Sequence, residues 1–540
     1  MRKRTLIAFV AAAVAVIAGR YLWNSGNTGG NQAADSLTVA FAGEATDMDP
    51  TKSAAGIDYY FISQIFEGLV RVDANGKSIN WLAESWEVLE EDGKPLIDVR
   101  IRPNVKFHNG DPLTAHDFEF AFQRQRDPQI SRWSHNQALV ERFEIIDDLH
   151  FRLHFSEPDA TYVADYPGLR LWAIPKRYFE QVGEAGFARA PVGTGPWKFV
   201  SRKVNESLQL EAFADYWNQE HRPHVKHLTI RIIPEDLTRI GALKTGAVDW
   251  IDAVPPAMIK DVRDTPGITT ASYVSPNNLF LQFNTHMPDS PFNDLRVRQA
   301  AAHAIDVDAI IANVLAGQGE RYTQIGRGPN GDDPALQPYD YDPQKARALL
   351  REAGYPNGFD TPCYNLTTPR EVNVKEVGEA MFAYLTAVGI RCKVVGLEYQ
   401  AWLNIGRRGR NGPPEMDGVI SWMWGHGISN DPGVAWTGYV HSFQPGAGFG
   451  SYSYTNDAQL DELIEAQRRT FDAEERKVLL RRIARIKNEQ LLGGLPTYRP
   501  YVTFAWRTDK VSFKPWPDAF WRSMQEIGLK PSAQDRAAAE

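Results

Sequence analysis

Apolar residues recur along the chain at two spacings, an alternation typical of strands and a wider spacing typical of helices. Residues 36–42 (SLTVAFA) and 149–155 alternate and predict strands, as do residues 228–233 and 279–284. Asp58–Leu69 instead carries its aromatic and aliphatic residues at helical spacing. Because both spacings occur throughout the chain, the pattern predicts an α/β fold.

The second half of the chain contains a predicted strand–helix–strand unit. Cys363 lies in the first strand, residues 371–388 form the helix, and a second strand starts at Cys392, which implies a parallel pair. A disulfide between the two cysteines stays open at this point, because it requires Cα atoms within about 7 Å and the sequence does not give that distance. Residues 295–315 predict one helix, and residues 457–492 predict two.

The N-terminus has the pattern of a secretory signal. Basic residues at positions 2–4 precede an apolar run, Leu6–Ala18, that is shorter than the about 20 residues of a membrane span. Residues 24–34 are rich in Gly, Asn and Ser and predict a flexible tether. We therefore expect residues 1–35 to be a signal peptide or an uncleaved anchor followed by a tether, and the folded body to lie in the periplasm.

Composition narrows the function classes. The chain has 540 residues, of which 43% are hydrophobic and 23% are charged, and this fits two or three globular domains rather than a disordered chain. Lys and Arg total 59 against 67 Asp and Glu, and the net charge of −8 disfavours nucleic acid as a partner. Two cysteines exclude a scaffold held by many disulfides. Because no nucleophile–base pair or metal-ligand cluster has a recognisable spacing, we expect neither catalysis nor a cofactor.

Two motifs that resemble ligand sites are better explained as structure. Gly193–Gly195 lacks the third glycine of a phosphate-binding fingerprint and precedes a predicted strand, so we expect a close approach of two backbones there. His221, His224 and His227 are spaced three apart, as metal ligands on a helix can be. Pro223 interrupts that helix and a strand follows, so we expect loop imidazoles rather than a metal site.

Five stretches of the chain together resemble the bacterial extracellular solute-binding proteins of family 5, the class that imports peptides, nickel and oligosaccharides. In order they are LAESWEV (82–88), VKFHNGDPLTAHDFEFAFQR (105–124), PVGTGPWKF (191–199), LQFNTHMPDSPFNDLRVRQAAAHAID (281–306) and YDPQKARALLREAGYPNGF (341–359). They occur in the family's order and cover nearly the whole body of the chain.

The resemblance implies a two-lobe clamshell of the type II periplasmic binding protein kind, with an extra domain on the first lobe. The implied divisions are 36–55, 191–274 and 493–532 for lobe I, 56–190 for the extra domain, and 275–492 for lobe II, with the hinge near Tyr273 and Leu495. We also expect a monomer that is not an enzyme. Such a protein closes on a solute and delivers it to the membrane permease of an ATP-binding cassette importer.

The resemblance further implies where the ligand binds. In peptide-binding relatives, the stretch corresponding to residues 416–439 carries a Trp and then an Asp that anchors the ligand ammonium. This chain lacks that Asp, so free-amine peptides are less certain ligands, and Asp417 and Asp431 are alternative anchors. The candidate ligand contacts in the stretch are Trp422, Trp424, His426, Asn430 and Asp431.

Three further candidates lie outside that stretch. Glu44 and Thr46 follow the first predicted strand, and ligands of doubly wound sheets gather at the carboxyl ends of strands. A capped turn explains these two residues equally well. Asn278 precedes the strand that opens the second lobe and is therefore near the implied hinge. Its alternative role is to hydrogen-bond the backbone groups of that loop.

We expect the ligand to be a peptide or a peptide-like compound. An oligosaccharide, an opine-like conjugate and chelated nickel are alternatives that the sequence does not separate. A secreted hydrolase is a more distant alternative, and a sensor that binds a solute without delivering it is another.

Overall fold

The computed structural model describes residues 35–53, 56–72, 78–131, 134–164, 171–275, 277–285, 287–323, 333–367, 373–398, 401, 418–425, 431–442, 455–514 and 523–530. Within these ranges, no helix is both long enough and apolar enough to cross a membrane. The predicted signal or anchor segment falls outside the described residues.

Strands and helices occur along the whole described chain, as the two spacings predict. The strands are β1 (Ser36–Phe41), β2 (Val70–Val72), β3 (Ser78–Asn80), β4 (Ala83–Glu91), β5 (Lys94–Ile101), β6 (Val140–Asp147), β7 (His150–Phe155), β8 (Trp197–Lys203), β9 (Ser207–Ala212), β10 (His227–Ile232), β11 (Trp250–Ile251), β12 (Ile268–Val274), β13 (Asn277–Phe283), β14 (Gly319–Arg321), β15 (Phe359–Leu366), β16 (Ile390–Leu397), β17 (Val419–Gly425), β18 (Leu495–Arg507), β19 (Val511–Ser512) and β20 (Gly528–Leu529). The helices are α1 (Gly56–Ile65), α2 (Ala115–Arg126), α3 (Ala160–Ala164), α4 (Lys176–Arg189), α5 (Asp236–Lys244), α6 (Ile259–Arg263), α7 (Leu295–Ala304), α8 (Val307–Asn313), α9 (Pro343–Glu352), α10 (Val374–Val388), α11 (Pro432–Tyr439), α12 (Ala458–Arg469) and α13 (Ala473–Gln490).

The principal sheet has the strand order β16-β15-β17-β13-β18-β11-β1-β10-β9-β8, with β12 and β14 also paired to β18. We call the half that contains β1 lobe I and the half that contains β13 lobe II. A separate four-stranded sheet, β4-β5-β7-β6, is inserted between β1 and β8 along the chain. The two-lobe α/β architecture is therefore confirmed.

Strand β18 belongs to both lobes. Its first half pairs with β13 and β14, where Tyr498 lies opposite Leu279 and Arg321. Its second half pairs with β12, where Tyr501 lies opposite Val274. Because β12 leads almost directly into β13, the chain crosses between the lobes twice, once between those strands and once within β18. These side-by-side crossings are the covalent connection about which the lobes can move.

The inserted sheet shares the hydrophobic core of lobe I. One cluster of buried side chains includes Leu37 of β1, Ile97 of β5, Phe151 of β7, Tyr162 of α3 and Phe504 of β18. Burying apolar surface is the main stabilising term in folding, so the segment between β1 and β8 is anchored on lobe I. The predicted boundaries of the three domains stay a prediction.

Lobe II contains the predicted strand–helix–strand unit. Strands β15 and β16 pair in parallel and α10 joins them, which confirms the prediction. A disulfide links Cys363 to Cys392 across these strands, with the Cα atoms 5.3 Å apart.

The long helices of lobe II follow the predictions only in part. The single helix predicted over residues 295–315 is wrong, because Asp306 interrupts it and its side chain accepts a hydrogen bond from the Ala309 N–H, starting α8 as a new helix. The two helices predicted over residues 457–492 are confirmed as α12 and α13.

A buried carboxylate connects the stretch 191–199 to the rest of lobe I. Glu67 accepts hydrogen bonds from Thr194 Oγ1 (3.0 Å), Trp81 Nε1 (2.6 Å), Tyr216 Oη (2.6 Å) and Trp217 Nε1 (2.9 Å). Burial raises the pKa of Glu67, and these four donors oppose the increase. Thr194 therefore has a structural role in the motif.

The glycines of the same stretch allow two backbones to approach, as the sequence predicts. A Cβ on Gly193 would lie 2.1 Å from the carbonyl oxygen of Ile65, and one on Gly195 would lie 2.7 Å from that of Gln64. His108 completes the connection, because the Gly193 N–H donates to its Nδ1 (3.3 Å) and its Nε2 lies 2.8 Å from the Gly195 carbonyl oxygen. This pattern requires a neutral ring with the proton on Nε2. Burial lowers the pKa of His108 to about 4.

Candidate functional site

The start of β13 and the end of β17 meet beside the crossing between the lobes. The register places Asn278 opposite Trp424 and Phe280 opposite Trp422. The Asn278 residue is only 1% exposed, and its Nδ2 has no hydrogen-bond partner among the described residues. Because an unpaired buried donor costs about 1–3 kcal/mol, this amide is suited to an acceptor that a bound molecule supplies.

Strands β18 and β14 lie next to β13 and place further side chains on the same face of the sheet as Asn278. Side chains alternate between the two faces of a sheet, and Leu279 of β13 is paired with Tyr498 of β18. Asn278 and Arg499, each one residue from that pair, therefore share the opposite face. Glu320 of β14 is paired with Arg499 and lies on this face too.

The charged residues of this row contact one another and two tyrosines. Arg499 forms an ion pair with Glu320, and its guanidinium lies 4.2 Å from the ring centre of Tyr322. Tyr501 Oη lies 3.5 Å from Glu320 Oε2. The Arg499 and Glu320 side chains are 20% and 34% exposed, so solvent or a ligand can reach them. Sequence reasoning missed this cluster, because its members lie on strands far apart in the chain and have no shared spacing.

The loop after β1 holds Glu44 and Thr46 in intramolecular contacts. Glu44 accepts hydrogen bonds from Arg202 Nε (2.7 Å) and from the Asn205 N–H (2.6 Å), which attaches the loop to the β8–β9 hairpin. Thr46 donates from Oγ1 to Asp58 Oδ1 (3.1 Å), and its N–H donates to the same oxygen (2.8 Å). These bonds match the capped-turn interpretation of the two residues.

Asp431 is likewise engaged within the protein. Its two carboxylate oxygens accept from Nη1 (2.5 Å) and Nη2 (2.7 Å) of Arg476, and the Gly433 N–H donates to Oδ1 (2.9 Å) at the start of α11. Both Asp431 and Arg476 are at most 6% exposed. A carboxylate already neutralised by a buried guanidinium is a poor anchor for a ligand ammonium, so the structure gives Asp431 the role of a helix cap and ion-pair partner.

The remaining sequence candidates are only partly described. The backbone of Trp422 and Trp424 belongs to β17, but their side chains lie outside the described part of the structure. His426, Asn430 and Asp417 also lie outside the described residues. These positions stay predictions.

A buried lysine lies near the start of β18 in lobe II. A small cavity there is lined by residues that include Thr323, Trp436, Lys487 and Pro496. Lys487 Nζ donates to the carbonyl oxygen of Leu492 (3.1 Å), and burial lowers the pKa of Lys487 to about 7. The charged form of this side chain is therefore destabilised in the folded protein.

The lobes also touch away from the hinge. Helix α3, which is anchored on lobe I, contacts α11 and α12 of lobe II. Arg468 Nη2 of α12 lies 3.5 Å from Oδ2 of Asp159, the residue directly before α3. The structure thus shows a second contact between the two lobes, formed by elements other than the strands of the crossing.

The histidines at 221, 224 and 227 are not brought together as ligands. His221 Nδ1 lies 3.5 Å from Glu526, its ring centre lies 5.4 Å from that of Trp81, and His227 begins β10. Across the described ranges, no group of three or more His, Cys, Asp or Glu side chains is placed to hold a metal ion.

A family model for bacterial extracellular solute-binding proteins, family 5 Middle, matches residues 77–451. The chain belongs to this family. The resemblance carried by the five sequence stretches is thereby confirmed.

Related proteins agree with the family assignment. Heme-binding protein A of Haemophilus influenzae is 30% identical to the family 5 chain over 415 residues, which cover 71% of this chain and 73% of that protein. The glutathione-binding protein of Pectobacterium atrosepticum is 28% identical over 372 residues, which cover 68% and 70%. A dipeptide-binding protein of Pseudoalteromonas, solved in complex with Met-Leu, has a TM-score of 0.77 at 22% identity, over 92% of this chain and 100% of that one. This last similarity supports the fold alone.

Proposed function

We propose that this family 5 protein captures a small peptide-like solute between its lobes in the periplasm and delivers it to the permease of an ATP-binding cassette importer. The observation that supports the proposal most directly is the double crossing at β12–β13 and β18. Two lobes joined in this way can close over a molecule bound beside the crossing. Ligand binding would shift the population towards the closed form, because only that form contacts the ligand from both sides.

The preference for a peptide-like solute draws on the relatives. One relative is named for binding glutathione, which is a tripeptide, and a solved structure of the same fold holds the dipeptide Met-Leu. The alternatives are an oligosaccharide, an opine-like conjugate and chelated nickel. Mass spectrometry of the bound solute would distinguish them.

We assign the candidate residues two kinds of role. Because Glu44, Thr46 and Asp431 are engaged by neighbouring side chains, we propose that they fix the loops that border the cleft. The residues proposed to contact the solute directly are Asn278, Trp422, Trp424, His426 and Asn430. The faces of tryptophan rings suit apolar groups and cations, and the amides suit backbone-like carbonyl and N–H groups.

The proposal includes no chemical conversion of the solute. Its mechanism is capture and release by a monomer, with no cofactor and no nucleic acid partner, and the body reaches the periplasm by way of residues 1–35. Lobe I, the extra domain on it and lobe II would divide as the resemblance implies.

Purification without denaturants, followed by mass spectrometry of the released small molecules, tests the proposal. We expect a stoichiometric peptide-like compound that rebinds to the stripped protein in a calorimetric titration and emerges unaltered. Recovery of a sugar or a nickel chelate would overturn the ligand class. A covalently changed product after incubation would overturn the binding role and favour a hydrolase. Unchanged uptake of the solute in a strain that lacks the chain would reject delivery to an importer.

A further inference from the structure

Two buried hydrogen-bond donors beside the crossing between the lobes have no acceptor among the described residues. Asn278 Nδ2 and Arg499 Nε are both buried at the atomic level, and neither has a hydrogen-bond partner within the described residues. A native fold rarely leaves such groups unpaired unless water or a ligand supplies the acceptor. Two donors side by side therefore indicate what kind of atom belongs there.

The two donors belong to side chains on the same face of the sheet. Asn278 and Arg499 are both adjacent in sequence to the cross-strand pair Leu279–Tyr498, and they share the face opposite to that pair. They lie beside the crossing, where β13 begins and where β18 passes from one lobe to the other. A group bound there would be at the base of the space between the lobes.

The neighbours of Arg499 fix its guanidinium. Arg499 Nη2 donates a hydrogen bond to Glu320 Oε1, and the guanidinium carbon of Arg499 lies 4.2 Å from the ring centre of Tyr322. A guanidinium has five N–H groups in a rigid fork, so these contacts hold its orientation while the Nε–H has no acceptor among the described residues. Such a prepared fork binds a planar carboxylate more strongly than a neutral carbonyl, because hydrogen bonds between charged groups are the stronger kind.

We propose that Asn278 and Arg499 together bind a carboxylate of the transported solute, which makes the natural ligand a carboxylate-bearing compound. This inference rests on the proposed function, since it names the chemistry of the same cleft. Arg499 and Asn278 are then specificity-determining residues, and Glu320 is a positioning residue that orients the guanidinium.

The test compares acids with their amides. The probes are Met-Leu with its C-terminal amide, and glutathione with either carboxyl group converted to an amide, each titrated calorimetrically into the stripped protein. We expect at least one acid to bind about tenfold or more tighter than the matching amide, the range expected of a hydrogen-bonded charge. Arg499→Gln should abolish this preference, and Arg499→Lys, which keeps the charge but not the fork, should restore only part of it.

The control is Arg391→Gln, which removes an exposed arginine of β16 that pairs with Asp360. This variant should keep the full preference for the acid, and thermal melting should show that every variant is folded. If the wild-type protein binds acids and amides equally, the inference is wrong and the proposed function stands. The same follows if folded Arg499→Gln keeps the preference. If no acid or amide binds, the peptide-like function itself fails, and the inference fails with it.

Discussion

Arg468 and Asp159 form an ion pair across the two lobes, with Nη2 and Oδ2 3.5 Å apart. Asp159 also accepts a hydrogen bond from the Thr161 N–H (3.0 Å) at the start of α3, and Arg468 donates to Glu465 (3.2 Å) within α12. Each member is therefore held in place by its own lobe. The pair exists only while the lobes are together, so it stabilises the closed form relative to the open one.

We predict that Arg468→Gln weakens solute binding by about two- to fivefold, the effect expected of a partly exposed ion pair. The loss should appear mainly as faster dissociation, because the pair forms after the solute has entered. Stopped-flow measurement of the dissociation rate checks this. The control is Lys260→Gln, which breaks a surface pair with Asp264 inside lobe I and should leave the rate unchanged. An unaltered rate in Arg468→Gln would show that the pair plays no part in closure.

A second prediction concerns His108 and acid stability. The folded-state pKa of about 4 lies below the usual 6.5, so the unfolded chain takes up a proton first as the pH falls. The stabilising contribution of neutral His108 to the free energy of unfolding is then fully present above about pH 6.5. It decreases towards pH 4, by at most about 1.4 kcal/mol per pH unit. Urea unfolding across this range should show a shallower pH dependence for His108→Gln than for the wild type.

His116 provides the comparison for that experiment, because its side chain is 51% exposed. The variant His116→Gln should keep the wild-type slope. Equal slopes for His108→Gln and the wild type would mean that the ring does not bridge Gly193 and Gly195 in the neutral form.

A third prediction concerns Lys487 and alkaline stability. Its folded-state pKa of about 7 lies below the usual 10.5, so between these values the unfolded chain binds more protons than the folded one. The free energy of unfolding should therefore rise with pH in this window because of Lys487. Lys487→Met should increase stability at neutral pH and remove that rise. Lys345→Met, an exposed change on α9, should do neither. A rise that persists in Lys487→Met would contradict the burial of this amine.

The disulfide gives a fourth prediction. Cys363 and Cys392 are 29 residues apart in sequence, and closing a loop of this length stabilises a protein by about 3–4 kcal/mol in the chain-entropy model. A reductant should therefore lower the melting temperature by a few degrees. The double variant Cys363→Ala, Cys392→Ala should melt at the lower temperature with or without reductant. A reductant effect of equal size in the double variant would assign the change to another cause.

The sequence predicts the elements of this protein better than the contacts between them. The strand of residues 36–42 appears as β1, and the unit around Cys363 and Cys392 appears as predicted, because local spacing determines such elements. The break at Asp306 was missed, since apolar residues continue at helical spacing through it and the capping contact is a single side chain.

The candidate site was only partly predictable for a different reason. Asn278 was found from its place before a strand, but its juxtaposition with Arg499 depends on a pairing between residues more than two hundred positions apart. The ion pair of Asp431 with Arg476 likewise depends on the tertiary fold, since it joins residues 45 positions apart. A sequence shows which side chains are present, but it does not show which of them already form hydrogen bonds or ion pairs within the folded protein.

Closure of the two lobes on a solute is the central step of the proposed function, and small-angle X-ray scattering tests this closure most directly. Scattering is measured on the stripped protein, and again with a saturating amount of the solute recovered from it. We predict a smaller radius of gyration with the solute, and a smaller contraction in Arg468→Gln. A radius of gyration that does not change while calorimetry shows saturation would contradict lobe closure.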